Sequence, residues 1–169
     1  ASKDSVAIIE GVMGLYDGLG ITDKASSAHV ARLTGTPVVL VVDGRGVSLS
    51  AAAIVLGFRE LDPSLSIDGV IINQITSKAH YSLLKNAIEK RTGIPVLGWL
   101  PKAPDIALDS RELGLVPPEH CPHVEDKLSR LGDLAKQHIE LERLASLDGK
   151  ALRDELPRLA PVGQVQVAL

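Results

Sequence analysis

The stretch PVVLVVDGRGVSLSAAAIVLGFREL, residues 37–61, carries two hydrophobic periods back to back. Pro37 to Asp43 is apolar almost without a break and rich in valine. A short run of this kind between a proline and a glycine reads as a strand covered on both faces. Ser50 to Leu61 then places Ala51, Ile54, Val55 and Phe58 at helical spacing, with Ser48 or Ser50 as the expected N-cap. A buried strand that feeds directly into a helix is half of a strand–helix–strand unit, the building block of a parallel sheet.

The same alternation extends on both sides. Val6 to Glu10, Ile67 to Asn73 and Pro95 to Trp99 read as three more strands. Ser26 to Thr34 reads as a helix that stops at Gly35 and Pro37. His80 to Thr92 reads as another, with Tyr81, Leu84 and Ile88 on one stripe and a stop at Gly93. Prolines 101, 104, 117 and 118 mark Pro101 to Cys121 as loop-rich. Val124 to Leu147 reads as one long helix with Leu128, Leu131, Leu134 and Ala135 facing inward. A short helix is expected over Asp148 to Leu156, and the tail PVGQVQVAL resembles a linker leading into a strand. The fold class is therefore α/β, a parallel sheet with helices on both faces. Residue 1 lies directly before a buried-type strand, which is expected of a segment cut from a longer chain.

Composition narrows the function classes. Over 169 residues, 45% are apolar and 23% charged, the balance of a soluble globular domain. Aromatics are only 2%, so the core is aliphatic. Eighteen basic against 21 acidic residues give a net charge of −3, and no basic stripe exists to bind nucleic acid. No apolar run approaches the roughly 18 residues of a membrane span. The single cysteine, Cys121, cannot form an internal disulfide, and the N-terminal stretch lacks signal-peptide character; both fit the cytoplasm.

In an open α/β sheet, ligands bind beyond the carboxyl ends of the strands, so the residues there are the candidates. Glu10 closes the first strand ahead of GVMGLYDG, and a carboxylate in that place can hold a cation. The plain alternative is a strand-end acid followed by a flexible turn. Asp43 closes the next strand. Arg45 and the free amides at the start of the following helix could together form an anion site. The plain alternative is a capped strand-to-helix turn. Asn73 closes the third strand. Its amide can read a purine edge with one donor and one acceptor, although a strand-end Asn is commonly a turn former. His120-Cys121-Pro122-His123 contains metal-ligand types, but Pro122 interrupts any helix and no second cluster completes a site. His29, His80 and His138 read as surface or packing residues. No G-x-x-x-x-G-K-[ST] phosphate loop occurs in the 169 residues.

EGVMGLYDG, residues 10–18, resembles the signature of the cobyrinic acid a,c-diamide synthase family. The similarity continues through SSAHVARLTGTPVVLVVDGRG, SAAAIVLGFRELDP, IDGVIINQITS, GIPVLGWLPK and LGLVPPE, from about residue 6 to residue 147. The later segments are shared more loosely with cobyric acid synthases and dethiobiotin synthetases. The family joins a P-loop-type synthetase domain to a glutamine amidotransferase domain. It amidates two carboxylates of a corrinoid with ATP, Mg²⁺ and glutamine-derived ammonia.

The resemblance implies a P-loop NTPase, dethiobiotin-synthetase-like fold without its N-terminal P-loop unit. Residues 1–147 would be the later part of the synthetase domain, and 148–169 a helix and linker to the amidotransferase domain. Glu10 matches the magnesium-binding acid and, with Asp17, is a catalytic candidate. Tyr16 and Asp17 match the loop beside the substrate carboxylate. Asp43, Arg45 and Ser48 match a second substrate-facing loop. Asn73 matches the adenine-reading Asn of related synthetases, with Leu100 and Pro101 flanking the base. Where the family has Arg-His before Leu-Gly-Leu, this chain has Arg111-Glu112. Neighbouring activities remain open: amidation of hydrogenobyrinic acid or nickel-sirohydrochlorin, or a non-catalytic interaction domain of the same fold. Oligomeric state is open too, a homodimer included. No nucleic-acid or membrane partner is expected.

Overall fold

A computed structural model describes residues 6–11, 13–106, 110–111, 114–115 and 124–147. Three parallel strands, β1 (Val38–Asp43), β2 (Ile67–Ile75) and β3 (Val96–Pro101), form a sheet in the order β1-β2-β3. The helices between them are α2 (Ser50–Leu61) and α3 (Lys78–Thr92), with α1 (Ser27–Thr34) ahead of β1. The sheet is flanked by these helices, as the strand–helix alternation predicts. Leu40 and Val42 of β1, Val70 and Ile72 of β2, and Val96 of β3 share a core with Ala51, Ala52 and Val55 of α2 and Leu84 and Ile88 of α3. Ile71 and Leu97 are buried as well. Gly69 is packed against Leu97 so closely that a side chain there would overlap it.

Capping explains both boundaries of α1 and of α3. Ser26 Oγ accepts from His29 N (3.1 Å) to start α1, and Ser77 Oγ accepts from His80 N (3.2 Å) to start α3. Gly35 (φ 65°) and Gly93 (φ 71°) end these helices in the left-handed conformation, where glycine carries no Cβ penalty. α2 differs from expectation. Its N-cap is Leu49, in helical conformation, and neither Ser48 nor Ser50 caps it.

Val6 to Glu10 is not a strand. It has no regular structure, and Val6, Ile8 and Ile9 are 63–83% exposed. An apolar run becomes a strand only where a neighbour satisfies its backbone. Among the described residues β1 pairs with β2 alone and offers this run no hydrogen bond.

The expected long helix is broken. α4 (Val124–His138) ends before Ile139 and Glu140, and α5 (Leu141–Ala145) follows. The break has a cause at the outer edge of β3. Ile139 forms an antiparallel bridge with Gly98, and Glu140 N donates to the Leu97 carbonyl (2.8 Å). Strand-edge groups that would otherwise lack partners capture the chain there. Leu134 and Ala135 are half-buried, whereas Leu128 and Leu131 are exposed. In the proline-rich region, Pro104–Ile106 is a single 3₁₀ turn, and β4 (Ser110–Arg111) pairs antiparallel with β5 (Gly114–Leu115). Residues 148–169, with the expected short helix and linker, lie outside the described residues, as does His120–His123. No helix among the described residues is long and apolar enough to cross a membrane.

Candidate functional site

Asp43 and Asn73 lie opposite one another in the β1–β2 register, at the carboxyl end of the sheet. Gly44 N donates to the Asn73 carbonyl (2.9 Å), carrying the ladder one residue past β1. Gly44 is buried against Ile72 and Ile75 with no room for a side chain, which explains a glycine at this turn.

Asp43 and Arg45 close on each other. Asp43 Oδ2 accepts from Arg45 Nη2 (2.6 Å) and Nε (2.9 Å), and Oδ1 accepts from Arg45 N (2.9 Å). The Arg45 side chain, then its backbone N–H, hold the Asp43 carboxyl below its ordinary value, so it is anionic at neutral pH. Arg45 thus pairs with Asp43 through Nε and Nη2, while Nη1 makes no part of that pair. Gly46 takes a left-handed conformation (φ 66°), Val47 is half-buried, and Ser48 is exposed.

Asn73 is half-buried, and its Oδ1 accepts from Gln74 N (2.8 Å). That bond supports Gln74 in a left-handed conformation (φ 62°), which is uncommon for a residue with a Cβ. The Asn73 amide thus uses its acceptor locally. At the end of β3, Leu100 and Pro101 are half-buried. A cavity of about 320 Å³ runs from Pro101, Ala103 and Ile106 to Asp133, Leu134 and Gln137 of α4. Arg130, which pairs with Asp105, also lines it.

Tyr16 and Asp17 belong to a different depression, of about 690 Å³, that also takes in Asp23, Leu61 and Asp62. Tyr16 stacks on Phe58 with ring centroids 5.9 Å apart, and its hydroxyl donates to the Phe58 carbonyl (2.6 Å). Burial and then nearby Asp62 push the Tyr16 hydroxyl above its ordinary pKa. Asp17 Oδ2 accepts from Gly14 N (3.0 Å), closing a tight turn. Arg32 joins Asp23 to Asp62. The Ser64 hydroxyl and backbone N–H, and then Arg32, hold the Asp62 carboxyl low.

The rim residues and the Tyr16 depression are thus separate places. Phe58 is a little over two turns into α2, about 12 Å along the axis from its start beside the Asp43 loop. Glu10 is exposed and lines neither cavity. Among the described residues no three His, Cys, Asp or Glu side chains converge as a metal site.

The sequence gives His80 only a surface or packing role. Its Nε2 is 2.9 Å from the Val47 carbonyl oxygen, inside the Asp43–Ser48 loop. No motif could flag it, because its partner is a main-chain carbonyl 33 residues away.

The fold is that of a P-loop NTPase-type domain. The chain belongs to the AAA domain family, which matches residues 1–109. Its similarity to named proteins is more particular. It is 54% identical over 143 residues to the cobyrinate a,c-diamide synthase of Listeria monocytogenes serotype 4b, covering 84% of this chain and 32% of that protein. It is 52% identical over 141 residues to that of Streptococcus sanguinis, covering 82% and 31%. Against that of Thermoplasma volcanium it is 41% identical over 169 residues, covering 98% and 36%. The chain spans about one third of the length of these relatives. No solved structure matches it.

Proposed function

We propose that this chain is the later part of the synthetase domain of a cobyrinic acid a,c-diamide synthase. The reaction is ATP-dependent, glutamine-dependent amidation of the a- and c-carboxylates of cobyrinic acid in cobalamin biosynthesis. The observation that carries the reading is 54% identity over 143 residues to a protein of that name.

In the proposed mechanism a substrate carboxylate oxygen attacks the γ-phosphorus of ATP, and ADP leaves. Ammonia released from glutamine then attacks the acyl carbon. Phosphate departs, a proton passes to solvent, and the amide remains. Phosphorylation is needed because a carboxylate repels nucleophiles and has no adequate leaving group.

Arg45 uses Nε and Nη2 on Asp43, which leaves Nη1 for a substrate carboxylate. Tyr16 and Asp17 line the second place, with the Tyr16 ring held on α2. Asn73 has its amide NH₂ available for the adenine ring, with Leu100 and Pro101 beside the base.

Glu10 suits a magnesium ion. Such an ion takes one or two carboxylates alongside the phosphates and water, and Glu10 is a solvent-exposed hard oxygen donor. When bound, the ion neutralises charge on the phosphates and the phosphoryl group in transfer.

The test is an assay of the natural full-length protein with cobyrinic acid, ATP and glutamine. The expected products are the monoamide and then the a,c-diamide, with one ADP formed per amide. ATP turnover indifferent to the corrinoid, or amidation of hydrogenobyrinic acid alone, would overturn the assignment.

A further inference from the structure

The loop between β1 and α2 is held in an unusual way. At its start, Gly44 is tied to β2 through the Asn73 carbonyl. At its end, α2 begins without a side-chain cap, and Leu49 is already in helical conformation. Between these points Gly46 is left-handed, and the Asp43–Arg45 ion pair lies within the loop itself. An ion pair internal to a loop stiffens it but does not place it against the rest of the molecule.

His80 provides an external tie. Its Nε2 is 2.9 Å from the Val47 carbonyl oxygen, and a carbonyl only accepts, so Nε2 carries the hydrogen. His80 is half-buried in the first turn of α3, where its own N–H is capped by Ser77 Oγ (3.2 Å). Ser77 follows β2 by two residues. The imidazole therefore links the loop after β1, with Arg45 and Ser48, to the start of α3, just after β2 ends at Ile75.

We propose that His80 is a positioning residue for the carboxylate-bearing substrate. Through Val47 it holds the Asp43–Ser48 loop in one place relative to the start of α3. The inference rests on the reading of that loop as substrate-facing, while the tie itself rests on the geometry alone. Loss of the tie leaves the sheet and the Asn73 side intact and lets the Arg45 loop wander. The defect falls on the acceptor substrate and spares the nucleotide.

The experiment compares His80→Phe, which keeps ring volume but has no donor, with His80→Gln, whose terminal amide reaches about as far as Nε2. Both are made in the natural full-length protein, with Asp43→Asn as a reference for the loop's own role. Amide hydrogen exchange over residues 46–49 reads the tie without reference to activity. Steady-state kinetics read the consequence. His80→Phe is expected to speed exchange in that segment and to raise the KM for cobyrinic acid about threefold to tenfold, the worth of one hydrogen bond. The KM for ATP is expected to stay constant, and His80→Gln to recover most of the loss. Unchanged exchange in His80→Phe overturns the tie. Equal rises in both KM values, or a Gln variant as impaired as Phe, reduce His80 to a stability residue and overturn the positioning role. If exchange rises but neither His80→Phe nor Asp43→Asn alters the KM for cobyrinic acid, the loop does not face the substrate. The positioning role then falls with that reading, and the tie alone stands. Should His80→Phe not fold, His80→Ala enters the same two measurements.

Discussion

Asn73 has a division of labour inside one amide. Its oxygen already accepts from Gln74 N, and its NH₂ is the side proposed to meet a nucleotide base. Two substitutions separate the parts. Asn73→Ala removes both and is expected to weaken ATP binding by about 1–3 kcal/mol, as when a buried polar partner is lost. Asn73→Asp keeps the oxygen that supports Gln74 but replaces the donor with a second acceptor. It should bind ATP at least as poorly as Ala while preserving the turn. Titration calorimetry on the full-length protein checks this, and an Asp variant with normal affinity would show that the donor is not used.

Asp62 provides a pH test at the same scale. Its folded pKa is lowered, by Ser64 first and by Arg32 among the further causes. A lowered carboxyl pKa favours the folded state wherever the group is ionised. That stabilisation is complete above the ordinary carboxylate range and is lost as pH falls through about 3.9 toward the lower folded value. Asp62→Asn should therefore lower Tm at neutral pH, and its difference from the wild type should shrink on acidification. A difference that is constant with pH would mean that the charge is not involved.

At the scale of elements, the α4–α5 junction is the feature with the most specific fit. Gly98 has a φ of 154°, and a Cβ there would meet the backbone of His138 and Ile139. Trp99 packs between Tyr81 of α3 and His138 of α4, with ring centroids 5.6 and 4.2 Å apart. Lys85 reinforces this edge, donating to the Val96 carbonyl (3.0 Å) and pairing with Glu89 and Glu140. Gly98→Ala is expected to cost about 1–3 kcal/mol of stability through overpacking. Gly57, exposed in the interior of α2, has open space where a methyl group would sit, with no neighbour within 4 Å. Gly57→Ala should add about 0.4–1 kcal/mol by restricting the unfolded chain. Denaturant melts of the two variants should move in opposite directions. A neutral Gly98→Ala would contradict the close approach of α4 to β3.

At the scale of the whole molecule, the 169 residues contain no G-x-x-x-x-G-K-[ST] sequence to cradle phosphates. The isolated polypeptide is accordingly expected to show no ATP hydrolysis with or without cobyrinic acid. Phosphate release measured on the purified chain, with Glu10→Ala as a control, checks this. Turnover abolished by Glu10→Ala would mean that the chain holds a phosphate site of its own.

The alternation of valine-rich runs with helical stripes was enough to place β1, β2, β3, α1, α2 and α3 to within a few residues, because each carries its own period and most carry their own stop signals. The placement of Asp43 at the end of β1, opposite Asn73, was legible for a related reason: a strand's carboxyl end can be counted along the chain, although β2 runs on past Asn73 to Ile75. Three features could not be read that way, because each depends on a partner distant in sequence. Val6 to Glu10 has the apolar character of a strand, but a strand also needs a neighbour's hydrogen bonds, and β1 does not supply them. The helix after Val124 has an unbroken helical pattern, yet it stops where β3's edge offers the Leu97 carbonyl to Glu140. The tie from His80 to Val47 is a choice of rotamer and hydrogen-bond partner across 33 residues, settled by folding and invisible to any spacing.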